Sequence, residues 1–241
     1  MIAPGIHEGI PFERYLELDA LSFSDLENWL RGKPHSLGRR GTLGSLAHCL
    51  VLEGAEAVKA RYVKLPSNAD LRSKANREAK EALEASTGKT AVKPSEWATC
   101  CEMYRGIQHC ERAVKALAVP SRREVSVVAD MDGTLTKARV DLLGEKFLLD
   151  LKTTHQTNSD FFRDSIVEFN YAARAAFYID NVAAVLGRFL PFRWLCVSTK
   201  PPYDAWIDEA TNEQVAFGRK YYQAILKLHA RYGKKEDGDV Q

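Results

Sequence analysis

The most constraining feature of this 241-residue chain is a run of alternating, β-branched sequence between residues 123 and 152, set between segments that read mostly as helix. Arg123–Ala129 is rich in valine, Asp132-Gly133 is a tight hairpin signal, and Thr134–Leu142 and Glu145–Lys152 continue as strands separated by Gly144. The pattern predicts a meander of three antiparallel strands. Helical spacing surrounds it: Ser22 or Ser24 caps a short helix through about Leu30, and apolar positions over Thr42–Leu52 mark a second that Gly54 ends. Asp70–Ala85, Pro94–Leu117, Ser159–Leu186 and Asn212–Arg231 follow as helices, while Phe192–Thr199 is an apolar strand and Tyr203–Ile207 a short edge strand. The expected fold class is α/β, a central mixed β-sheet (an antiparallel meander plus added strands) flanked by helices. With no Pro/Gly/Ser linker cutting the chain, residues 1–241 are expected to form a single domain with a polar tail fraying from about 233.

Composition excludes several classes. With 45% apolar and 27% charged residues the chain is neither disordered nor fibrous. No apolar run approaches the roughly 20 residues that cross a bilayer, and Met1–Ile10 lacks the basic-then-apolar layout of a secretory signal, so a cytoplasmic protein with no membrane partner is expected. The five cysteines are then expected to be reduced. Cys100, Cys101, His109 and Cys110 cluster in sequence, but without a C-x-x-C pair they read as buried or half-buried thiols rather than a zinc site. Net charge is only +2, yet its distribution is uneven: residues 1–30 carry six acids and one base, and residues 31–80 carry eleven bases and four acids. Such a chain can present one basic face to phosphate, although a merely solvated surface has the same composition.

The chemistry concentrates in ARVDLLGEKFLLDLKTT, residues 138–154. In the third strand Phe147, Leu149 and Leu151 point one way while Leu148, Asp150 and Lys152 point the other. A turn centred on Glu145–Lys146 puts Asp141 directly opposite Asp150; a turn centred on Gly144–Glu145 makes them diagonal neighbours. Facing carboxylates repel, and a divalent cation such as Mg²⁺, which prefers carboxylate oxygen and water, relieves the repulsion better than Lys152 alone. A cation with an adjacent ammonium suits phosphodiester hydrolysis.

Those residues resemble the D…(D/E)xK signature of the restriction-endonuclease-like nucleases. More closely, four segments in order resemble the RecE-type (exodeoxyribonuclease VIII) nuclease domains, which are related to phage lambda exonuclease: LSFSDLENWL, LGSLAHCLVLEG, TGKTAVKPSEWATCCEM and the RVD…LLDLKTT hairpin. The resemblance implies a restriction-endonuclease-like core and a prophage-type exonuclease, bacterial or phage-encoded. It implies degradation of linear double-stranded DNA in the 5′→3′ direction, with 3′ overhangs passed to a single-strand annealing protein, and a homotrimeric ring. It makes Asp141 and Asp150 ligands of Mg²⁺ (with Mn²⁺ able to substitute), aided by the Leu151 carbonyl and by His48, which by its apolar setting alone reads as a core histidine. Lys152 would serve the attacking water and Glu124 would be a further catalytic acid. Arg39 and Arg40, with Arg139, Thr153, Arg174 and Tyr178, form the expected DNA- and phosphate-binding set. Arg174 stands where the resemblance leads one to expect glutamine in a Gln-x-x-x-Tyr element, which keeps open a DNA-binding protein of the same fold without the chemistry.

Two other signals compete. VVADMDGTLT at 127–136 resembles the first motif of haloacid-dehalogenase-type phosphatases, with Asp130 as nucleophile and Asp132 as acid/base, but the sequence after it reads as strand rather than helix. Gly88-Lys89-Thr90 lacks the earlier glycine and the preceding strand of a phosphate-binding loop.

Overall fold

A computed structural model describes residues 2–33, 41–67 and 70–233. In chain order the elements are β1 (Gly5–His7), α1 (Phe12–Leu16), α2 (Phe23–Leu30), α3 (Thr42–His48), a π-helical turn (Cys49–Glu53), α4 (Ala55–Arg61), β2 (Tyr62–Lys64), α5 (Lys74–Thr87), β3 (Thr90–Val92), α6 (Pro94–His109) and α7 (Glu111–Leu117). The second half contains β4 (Ser121–Met131), β5 (Thr134–Gly144), β6 (Leu148–Thr154), α8 (Ser159–Glu168), α9 (Tyr171–Leu186), β7 (Phe192–Ser198), β8 (Ala205–Glu209) and α10 (Asn212–Tyr232).

The central sheet has the order β1-β4-β5-β6-β7-β8. β6 and β7 run parallel and the other neighbours run antiparallel, so the sheet is mixed, as the sequence pattern predicts. The hairpin turn sits at Asp132-Gly133. Both residues have positive φ (53° and 81°), the conformation a two-residue hairpin loop requires, and Asp130 Oδ1 accepts the Gly133 amide at 2.7 Å. The segment after Asp130 and Asp132 is therefore strand β5, not a helix, and the phosphatase reading fails on backbone geometry. β8 is the edge strand expected near Tyr203–Ile207, shifted two residues onward.

Helices cover both faces. On one, α3, the π-helical turn, α6 and α7 bring Leu46, Val51, Leu52, Met103, Ile107 and Ala116 against Leu142, Leu149, Leu151 and Val197. On the other, Phe162 and Ile166 of α8 and Ala175, Ile179 and Val182 of α9 cover Val125, Val140, Leu148, Trp194 and Cys196. A third cluster joins α2 and α10 to α9 through Phe23, Leu26, Phe177 and Tyr222. Close helix approach fixes this layer: a Cβ on Gly218 of α10 would lie 2.5 Å from the Ala172 carbonyl carbon and 2.7 Å from Ala173 Cα on α9. No described helix is long and apolar enough to cross a membrane.

Four helical expectations are redrawn. The helix over Pro94–Leu117 is interrupted at Cys110, whose φ/ψ of −87°/99° is extended. The helix over Ser159–Leu186 breaks at Asn170, which is left-handed at φ 52°. The segment over Thr42–Leu52 is α-helical only to His48, then widens into a π turn closed by Gly54 N–H donating to the Cys49 carbonyl at 3.0 Å. α5 begins at Lys74, not Asp70, because Asp70 instead accepts the Arg72 amide in a local turn.

Candidate metal and catalytic centre

Strands β4 and β5 pair in one register from Ser121↔Gly144 to Met131↔Thr134, except at the level of Glu124 and Asp141, where no pair forms. Glu124 is left-handed there, with φ 52°. The consequence is an exchange of faces. Val125 and Val140 pack under α9, whereas Leu142 packs under α3 and α6 and Arg123 reaches the Val51 and Leu52 carbonyls. Regular alternation would place residues two apart on the same side. A left-handed glutamate inside a strand costs of order 1–3 kcal/mol, and such strain concentrates at functional sites.

A second irregularity adjoins the first. β5 and β6 pair only at Leu142↔Leu149 and Leu143↔Leu148, then part, because β6 turns to pair along its whole length with β7. That register, continued one step, sets Asp141 level with Asp150, as a turn centred on Glu145–Lys146 requires. Asp141 bridges the fork: its Oδ2 accepts the Leu151 amide at 2.7 Å. The carboxylate thus takes the place of a missing ladder bond, which explains how a fully buried acid is accommodated in a sheet.

His48, the last residue of α3, enters from the helix layer. Its Nδ1 lies 3.5 Å from Asp141 Oδ2 and 4.0 Å from Glu124 Oε1. His48, Glu124 and Asp141 each offer a ligand atom within 4.8 Å of the others, a grouping that fits a divalent cation by both spacing and donor set. Three separate elements supply these three donors. Glu124 also accepts Arg139 Nε at 2.8 Å, and Arg139 donates onward to the Ile10 carbonyl at 2.8 Å.

Asp150 and Lys152 lie beside this group, on the α9 side. They form a direct ion pair, with side chains only 6% and 15% exposed. The Lys152 ammonium also sits 5.0 Å from the centre of the Tyr171 ring. Burial pushes the Asp150 carboxyl up, but the charge and hydrogen bond of Lys152, with the fields of Arg174 and His48, outweigh burial and hold it below the ordinary range. Burial pushes the Tyr171 phenol up to about 12, so the ring meets Lys152 as a neutral π face. The two aspartates are therefore not left to a cation alone: Asp141 has His48 and the Leu151 amide, and Asp150 has Lys152.

The remaining expected residues scatter around the centre. Leu151 is buried, with its side chain under the α3 layer. Thr153 meets α3 at Gly44, where an added Cβ would stand 3.5 Å from its Oγ1. Arg174 lies on α9 with its guanidinium 5.6 Å from the Phe23 ring centre, and Tyr178, one turn later, packs its ring 6.1 Å from Phe192. Arg39 and Arg40 lie outside the described residues. Of the other bases in 31–80, Arg31, Lys59, Arg61, Arg72, Lys74 and Lys80 are ion-paired with neighbouring acids, which reduces the field of the basic face. The cysteines of α6 join no metal-ligand group among the described residues, and all five thiols are free. Sequence reasoning missed Tyr171, which carries no motif, and Arg123, whose only signal is its position beside Glu124.

Comparison with known proteins leads to the same fold. The family described as a PDDEXK-like domain of unknown function (DUF3799) matches residues 31–237. No curated protein matches the sequence. Among solved structures, a protein described as "Putative exonuclease" from Eubacterium rectale superposes with a TM-score of 0.61 at 14% identity, covering 97% of this chain and 86% of the other. That likeness establishes the fold. The alkaline exonuclease LHK-Exo from Laribacter hongkongensis covers 76% of this chain and 95% of its own at 16% identity, with a TM-score of 0.32, too low to carry an argument.

Proposed function

Since the chain belongs to the PDDEXK-like family, we propose that it is a metal-dependent exodeoxyribonuclease acting on the ends of linear double-stranded DNA. The observation that carries this reading is the meeting of His48, Glu124 and Asp141 within 4.8 Å beside the buried Asp150–Lys152 pair. A divalent cation, Mg²⁺ or Mn²⁺, would be held by His48, Glu124 and Asp141, with Asp150 and the Leu151 carbonyl as the further ligands the RecE-type resemblance implies, and would supply Lewis-acid polarisation of the phosphate and acidification of water.

The chain's own residues do the rest. Lys152, steered by Asp150 and by the Tyr171 ring, aligns the attacking water and offsets the negative charge that grows on the phosphate oxygens. Arg174 adds a permanent charge with a forked donor array on the same side of the sheet. Asp141, by accepting the Leu151 amide where β5 and β6 part, has its carboxylate fixed in place toward His48. The 5′→3′ direction, the 3′ overhang delivered to a single-strand annealing protein, the trimeric ring and the cytoplasmic, prophage-type setting follow from the RecE-type resemblance.

The test is incubation with linear and circular duplex DNA carrying 5′ or 3′ labels, with Mg²⁺ or with EDTA. Release of 5′ label from linear duplex only, dependent on Mg²⁺, is the expected result. Cutting of the circle, loss of 3′ label first, or activity in EDTA refutes it.

A further inference from the structure

Three elements deliver the ligand trio, and one side chain ties them together. Arg123 Nη1 donates to the Leu52 carbonyl at 2.9 Å and to the Val51 carbonyl at 3.4 Å, and Nη2 donates to the Leu117 carbonyl at 2.5 Å. These are carbonyls at the ends of the π-helical turn and of α7, groups that the helices themselves leave unsatisfied. The π turn begins one residue after His48 and ends at Gly54, whose φ of 91° is a glycine conformation. Arg123 itself pairs with Leu142 and immediately precedes Glu124, so its partner residue is next to Asp141. The guanidinium therefore clamps the π turn, which starts directly after His48, onto β4 next to Glu124 and opposite the residue that adjoins Asp141.

The left-handed backbone of Glu124 makes the clamp possible. Had β4 kept regular alternation, Arg123 would lie on the same face as Val125, beneath α9, and could not reach the π turn. The strained residue thus does two things: it turns its own carboxylate toward His48 and swings its neighbour to the layer from which His48 comes.

We propose that Arg123 is a positioning residue for the metal centre, setting the spacing between His48 and the Glu124–Asp141 pair and hence the affinity for the cation. This rests on the reading of the trio as a cation site. π turns are rare beside α-helical winding and are frequently found at functional sites. Here the clamp holds it, and loss of the clamp lets the turn relax toward α-helical winding, which rotates the segment relative to β4. Supporting contacts of this kind typically account for about ten- to a hundredfold in metal affinity.

The experiment is calorimetric titration of Mn²⁺ into the purified full chain, with melting temperatures recorded in EDTA. Arg123→Ala is expected to weaken Mn²⁺ binding about tenfold or more, and Arg123→Lys, which keeps the charge but lacks the planar fork that joins the π turn to the end of α7, by less. Val182→Ala, a buried α9 change on the opposite face, lowers the melting temperature without changing Mn²⁺ affinity. His48→Ala added to Arg123→Ala is expected to cost less than His48→Ala alone, since the clamp acts through His48. Mn²⁺ affinity of Arg123→Ala within twofold of wild type, alongside a lower melting temperature, overturns the proposal and leaves Arg123 as a structural tie. If Arg123→Ala fails to fold, Arg123→Lys decides on the same criterion. Absence of Mn²⁺ binding by the wild type instead overturns the metal-site reading itself, and the inference with it.

Discussion

Asp150→Asn separates the electrostatics of the site from its chemistry. Asp150 and Lys152 form an ion pair with side chains 6% and 15% exposed. Asparagine keeps the volume and removes the charge, which strands the ammonium. Breaking a fully buried pair from one side costs about 3–5 kcal/mol. Here Lys152 retains some solvent access and the Tyr171 ring at 5.0 Å, a contact worth about 0.5–2 kcal/mol. The expected loss is then about 2–3 kcal/mol, or roughly 4–12 °C in melting temperature at about 2–4 °C per kcal/mol for a chain of this size. Asp150→Asn/Lys152→Met, which neutralises both partners, is expected to recover most of it. The pH dependence has a definite sign. The Asp150 carboxyl is held below its ordinary 3.8, so its contribution is fully present above about pH 4 and is lost as pH falls through the folded value. The gap between wild type and Asp150→Asn should therefore be widest near neutral pH and shrink below pH 4. Thermal melts in EDTA from pH 3 to pH 8 measure this directly. A single mutant that melts within 1 °C of wild type (about 0.5 kcal/mol or less), or a gap that widens on acidification, refutes the claim that the pair is coupled and buried. The same variant should bind DNA but fail to cleave it; retained Mg²⁺-dependent cleavage removes Asp150 from the site.

Three further outcomes are expected. Lys152→Ala should lower turnover at least a hundredfold while changing DNA affinity by less than about threefold; steady-state kinetics and fluorescence anisotropy distinguish this from a phosphate-binding role, which would move affinity alone. Asp130→Asn keeps an oxygen to accept the Gly133 amide, so stability and any nuclease activity should stay at wild-type levels; a phosphatase activity abolished by this change would reinstate the competing motif. Gly218→Ala, which in an ordinary exposed helix stabilises by about 1 kcal/mol, should here destabilise by about 1–2 kcal/mol, because the new methyl meets the α9 backbone at Ala172 and Ala173, which cannot step aside; a rise in melting temperature would show that α9 and α10 are less tightly apposed.

Much of this was legible from local pattern. The meander, its Asp132-Gly133 turn, the two faces of β6 and the Ser22 cap are consequences of period-two alternation and turn chemistry, which act within a few residues. The register that sets Asp141 level with Asp150 follows from a turn centred on Glu145–Lys146. The breaks at Cys110 and Asn170 were not legible, because neither residue is a strong helix breaker and tertiary packing decides where such segments bend. β1 is three residues long, and β2 and β3, which form a separate two-stranded parallel sheet, are no longer. Strands that short carry no measurable period.

The deeper gap concerns how the site is assembled. Sequence alternation assumes a regular strand, and on that assumption Glu124 and Asp141 have fixed faces and Arg123 shares one with Val125. The structure breaks the assumption at one level of the sheet, Glu124 opposite Asp141, and that break brings together everything sequence spacing could not: a histidine from a helix, two acids from adjacent strands, and an arginine that holds the turn after that helix to them. A left-handed glutamate is not written in the pattern around it, since isolated REVSV reads as ordinary strand. It persists because the paired strand, the Arg123 clamp and the Arg139 contact over-determine it. Residues that carry chemistry in this chain are thus recognisable by type, whereas their convergence is a property of a strained backbone that only the whole fold enforces.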